Sequence, residues 1–122
     1  MMNTKKTGRV MDLDVALARV DGDRQLLAEL STMFRQGYPR LLNEARNAIL
    51  QNDHAGLERA AHTLQGRLAF FGIHELHERV LRLEMMARMN DLTHAGQLLT
   101  EVETEMESIL PEFESLSREL NP

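Results

Sequence analysis

An all-α fold is what this sequence predicts: an antiparallel up-down-up-down four-helix bundle with a short extra helix at its N-terminal end. Three observations carry that expectation. Apolar residues recur every three or four positions over four long segments, the period of a helix with one buried face. Aromatic residues make up only 4% of the chain, with no Trp and eight Met, a balance that suits helix packing better than a β-sandwich. Turns of two to four residues separate the segments, so neighbouring helices must run antiparallel to bury their stripes. A chain of 122 residues suits one domain with a single core.

Residues 1–11 read as a polar tail or linker, and 12–120 as the bundle. Asp12 offers an N-cap to a short helix, DLDVALARV, which the turn at Gly22 ends. Asp23 caps a longer helix beginning RQLLAELSTMF. Its apolar positions Leu27, Leu30 and Phe34 continue in phase to Leu41, Ala45 and Ala48. Gly37 and Pro39 interrupt this segment; the unbroken phase favours a kink within one helix, with two separate helices as the alternative. Asp53 caps the third helix, AGLERAAHTLQGRLAFF, and Gly72 is placed to end it in the left-handed conformation. The fourth, IHELHERVLRLEMMARM, buries Ile73, Leu76, Val80, Leu83 and Ala87, and Asn90 and Asp91 make the next turn. The last has the cleanest pattern: Ala95, Leu99, Val102, Met106, Ile109, Phe113, Leu116 and Leu120, with Pro111 inside it.

Composition narrows the function. The net charge is −5, and the two lysines, Lys5 and Lys6, lie in the tail while the twelve arginines are scattered among acids. No basic stripe with interleaved aromatics exists, so a nucleic-acid partner is not expected. Without cysteine, disulfide and thiolate-metal chemistry fall away. The start, MMNTKKTGRV, lacks the apolar region of a secretory signal, and no apolar run approaches the roughly 18 residues of a membrane span. The expectation is a cytoplasmic segment without membrane contact of its own.

The third helix holds the chemistry. At about 100° per residue, His62 falls about 140° from the centre of the stripe formed by Leu57, Ala61, Leu64, Leu68 and Phe71. Its neighbours on that outward face are Ala55, Gly66 and Ala69, where a soluble helix normally carries long polar side chains. Gly66 costs about 1 kcal/mol against Ala in a helix interior. Side chains lean toward the helix N-terminus, so residue 66 covers the turn that holds His62, and removing its side chain clears the imidazole for a bulky visitor. The same lean lets Gln65 reach whatever is attached to His62. An accessible imidazole is a competent nucleophile. No Ser, Cys or carboxylate is spaced along this face for a hydrolytic triad, whereas phosphoryl transfer needs little more than a positioned nucleophile and open space.

AHTLQGRLAFFG resembles the signature of histidine phosphotransfer (HPt) domains, alanine-His-x-Leu-Lys-Gly with a second glycine six residues on. Ala61, His62, Leu64, Gly66 and Gly72 match in place. DLDVALARVDGDRQLLAELSTMF resembles the family's first two helices and LHERVLRLE its fourth, so the resemblance spans residues 12–118. It implies a four-helix bundle whose His62 carries a phosphoryl group between aspartates of response-regulator receiver domains. The chain would stand alone or form part of a hybrid sensor histidine kinase, itself a further expected partner. The catalytic Mg²⁺ would belong to the receiver, leaving this chain with no cofactor or metal of its own. Gly66 would give steric access, and Arg59, Ala69 and Phe70 would contact the partner. Gln65 departs from the family's lysine; it can offer the phosphoryl oxygens only neutral hydrogen bonds, weaker to an anion than those of a cation.

The alternative is a helical module that docks a receiver without accepting phosphate. A metal or cofactor bundle would need inward carboxylate and His pairs, which the core stripes lack. His54, His74, His77 and His94 read as solvated or capping residues. HELHE at 74–78 is not the zinc-protease motif, because Glu78 stands where the second His is required. Met85, Met86 and Met89 read as packing residues, and the acidic run EVETEMES as a solvated helix face.

Overall fold

A computed structural model describes residues 10–120. It contains helices α1 (Leu13–Arg19), α2 (Arg24–Leu50), α3 (His54–Phe70), α4 (His74–Arg88) and α5 (Ala95–Leu120), with no strand among the described residues. The four long helices pack in cyclic order, each against the two beside it, and α1 lies against α2 and α3. This is the expected bundle. Every residue assigned to the stripes of α3, α4 and α5 is buried; on α2, Leu27, Phe34, Ala45 and Ala48 are buried while Leu30 and Leu41 are partly covered.

Aspartate caps start three of the helices. Asp12, Asp23 and Asp53 accept hydrogen bonds from the backbone N–H groups of Val15, Leu26 and Gly56 at 3.2, 3.0 and 2.9 Å. α2 runs through Gly37 and Pro39 without a break, which removes the two-helix alternative. Pro39 is exposed, and the buried series Phe34, Tyr38, Leu42 and Ala45 passes beneath it, so core packing holds both halves on one axis. Pro111 is likewise absorbed within α5.

Three expectations need correction. The tail gives way to the fold before residue 12: Met11 is buried, and the Glu112 carboxylate accepts from the N–H groups of Val10 and Met11 at 2.8 Å. Residues 1–9 of that tail lie outside the described residues. The connection from α4 to α5 is longer than a tight turn, spanning residues 89–94. Asn90 leaves the helix in the left-handed region (φ 59°), and Asp91 then accepts from both the hydroxyl and the N–H of Thr93, bonds that hold its carboxyl below the usual range. Finally, Met85 and Met89 are surface residues, 41% and 72% exposed, because Leu83 and Ala87 occupy the buried stripe; only Met86 packs against the core.

The end of the bundle nearest α1 is closed by Phe34, Phe71 and Phe113, whose ring centroids lie 5.1–5.5 Å apart. Gly72 joins this cluster to α1. It has φ of 68°, and a β-carbon there would stand 2.7 Å from that of Asp12, whose N–H donates to the Phe71 carbonyl at 3.1 Å. Glycine is thus required twice, by backbone conformation and by close approach. Phe113→Ala should lower the unfolding free energy by about 3–5 kcal/mol. Gly72→Ala should lower it by about 1–2 kcal/mol from backbone conformation alone, with the Asp12 contact adding to the loss. Urea denaturation of the two variants checks both.

Candidate functional site

His62 stands on the solvent face of α3 with its side chain 68% exposed. Core packing explains the orientation: Ala60, Ala61, Leu64 and Leu68 turn inward, which leaves positions 62 and 66 facing out. A β-carbon built on Gly66 meets nothing within 4 Å. The glycine therefore answers no internal clash, and the space over the His62 turn is open to solvent.

The imidazole is nevertheless held from behind. His62 Nδ1 lies 2.9 Å from Oε2 of Glu84 on α4, a carboxylate only 3% exposed. A carboxylate oxygen accepts, so this contact calls for a hydrogen on Nδ1, and in the neutral ring that tautomer leaves Nε2 with its lone pair. Arg88, one turn further along α4, donates to the same oxygen at 2.8 Å and reaches Glu58 on α3 at 3.1 Å. Toward the other end of the seam, His77 Nε2 lies 2.7 Å from Gln65 Oε1.

These contacts form an antiparallel polar ladder: Glu58, His62 and Gln65 ascend α3 as Arg88, Glu84 and His77 descend α4. Glu84 was not legible as a site residue on α3 alone, because the carboxylate missing from that helix comes from the next. A signal did exist. Glu58, His62 and Gln65 are four and three residues apart and His77, Glu84 and Arg88 seven and four, all helical spacings, so each set shares one helix face. His77 is likewise corrected from a solvated residue to a half-buried one with a defined partner.

On the other side of His62, α2 and α3 enclose an open groove of about 530 Å³. Leu30, Met33, Phe34, Phe70 and Phe71 give it apolar walls, and His62 and Gly66 form its rim. Arg67 also lines it, although helical geometry places it roughly 140° from His62. Its long side chain crosses toward α2, where a β-carbon on Gly37 would stand 3.4 Å from Nη1. Of the expected partner-contact residues, Phe70 lies in this groove. Arg59 is exposed in a separate depression toward the C-terminal end of α2, and Ala69 lines neither.

Comparison with known proteins agrees with this geometry. The family model described as the Hpt domain matches residues 29–111. The chain therefore belongs to the histidine phosphotransfer domain family. Among solved structures, the fold superposes on histidine-containing phosphotransfer protein B (HptB) from Pseudomonas aeruginosa PAO1 with a TM-score of 0.82, at 21% identity, covering 89% of this chain and 95% of that one. A search of curated proteins gave no match.

Since nothing crowds Gly66, Gly66→Ala should raise the unfolding free energy by about 0.5–1 kcal/mol. Phosphoryl transfer to the protein should slow in the same variant. Denaturation curves and transfer rates measured side by side test this opposition; a loss of stability would mean that the glycine serves the fold instead.

Proposed function

We propose that this protein carries a phosphoryl group on Nε2 of His62, receiving it from the aspartyl phosphate of one receiver domain and passing it to the aspartate of another. The single observation that carries this reading is an outward-facing imidazole whose inner nitrogen is bonded to a buried carboxylate. With the Nδ1 hydrogen given to Glu84, the Nε2 lone pair points away from the seam and can attack phosphorus in line. The N–P bond forms as the P–O bond to aspartate breaks, and that bonding pair stays on the departing carboxylate. Positive charge developing on the ring is shared with Nδ1–H, where the Glu84 carboxylate stabilises it. Attack by the second aspartate reverses the sequence and returns His62 to its starting tautomer.

Gly66 supplies the clearance for an incoming receiver, and the apolar groove beside it gives the receiver a surface on which to dock. Mg²⁺ is assigned to the receiver. Among the described residues no helix is long and apolar enough to cross a membrane, in keeping with work among receivers and kinases in the cytoplasm.

Incubation with a phosphorylated receiver should place an acid-labile, base-stable label on the wild type and none on His62→Gln. An unlabelled wild type across several receivers would mean docking without transfer, and equal labelling of both would move the site away from His62. Glu84→Ala should still accept label but about ten- to a hundredfold more slowly, the loss of one charge-assisted hydrogen bond. Rapid-quench transfer kinetics, with circular dichroism to confirm the fold, measures this.

A further inference from the structure

Gln65 stands where the family signature carries lysine, and a carboxamide has a difficulty that an ammonium group lacks. Lysine presents donors in every rotamer, whereas an amide offers a donor on one side and an acceptor on the other. Turned the wrong way, Gln65 would set its carbonyl oxygen against the anionic phosphoryl oxygens. The structure places Gln65 Oε1 2.7 Å from His77 Nε2; an amide oxygen can only accept, so a hydrogen on Nε2 holds the amide one way round. Both the neutral Nε2–H tautomer and the imidazolium donate through that nitrogen, so the hold does not depend on the charge of His77. The His77 side chain is 22% exposed, and its other nitrogen, Nδ1, lies 4.0 Å from Glu78 Oε2.

We propose that His77 is a positioning residue for the phosphorylated state. By occupying Oε1 it turns the Gln65 NH₂ group away from α4, on the seam one turn from His62, so that its donors meet the phosphoryl group. A two-residue unit, Gln65 oriented by His77, thereby takes the place of the single lysine. The inference rests on the reading of His62 as phosphoacceptor.

The test is the lifetime of phosphohistidine after the donor receiver has been removed. His77→Ala should shorten it about three- to tenfold, the worth of a neutral hydrogen bond. Gln65→Ala should do the same, and the double variant should be no worse than either single one. His77→Gln, which can still donate to Oε1, should recover much of the lifetime, and in a Gln65→Lys background His77→Ala should have no effect. Melting temperatures confirm that each variant is folded. A wild-type lifetime in His77→Ala, or effects that multiply in the double variant, would overturn the positioning role while leaving His62 as acceptor. A wild type that takes no label would overturn both readings. Side-chain amide resonances of Gln65 in the unphosphorylated protein give a separate check: they should shift in His77→Ala, and unchanged resonances would show that the hydrogen bond is absent.

Discussion

The hydrogen bond from His62 to Glu84 joins the two halves of the site, and much of the α3–α4 seam is arranged to permit it. A carboxylate this deeply buried is costly unless it is paired, because the protein interior solvates charge poorly. Glu84 meets that requirement through one oxygen, Oε2, which receives both His62 and Arg88, whereas Oε1 has no partner among the described residues. A well-packed apolar residue would be a less demanding neighbour for the helix. What the carboxylate adds is a fixed acceptor behind the imidazole, so that one ring nitrogen is committed inward and the other is available outward.

The same constraint explains the division of α3 into three faces. Leu57, Ala61, Leu64 and Leu68 fill the core; Glu58, His62 and Gln65 form the ladder with α4; Gly66, Arg67 and Phe70 border the groove with α2. His62 sits where the second and third faces meet, supported on one side and accessible on the other. Gly66 keeps that border open at a cost in helix stability that no contact within the fold requires. The Phe34–Phe71–Phe113 cluster and the close approach of Asp12 to Gly72 anchor the C-terminal end of α3.

Much of this was legible in the amino-acid order. The helical period marked the stripes, aspartate marked three N-caps, and glycine at position 72 marked the end of α3, because each is a local signal with a local cause. His62 and Gly66 were legible for the same reason, as residues out of character for an exposed helical face. The spacing of Glu84 and His77 showed only that they share a face of α4; their roles depend on which face of α4 meets α3, a long-range fact that the period of one helix does not contain. Arg67 reaches the groove although it leaves α3 far from His62, because angular position describes where a side chain leaves the helix, and a long flexible chain can end elsewhere. Met85 and Met89 were misjudged, since apolar residues off the stripe remain at the surface, whereas Met86 packs against the core as expected.

The central claim is that Glu84 commits the inner nitrogen of His62 and so defines the outer one as nucleophile. The tautomer of His62 in the unphosphorylated protein, read from long-range ¹⁵N–¹H correlations of the imidazole at a pH where the ring is neutral, tests this most directly. The account predicts a hydrogen on Nδ1 and an unprotonated Nε2 in the wild type, with the population redistributed between tautomers in Glu84→Ala. A wild-type ring protonated mainly on Nε2, or a tautomer ratio indifferent to the loss of Glu84, would contradict it.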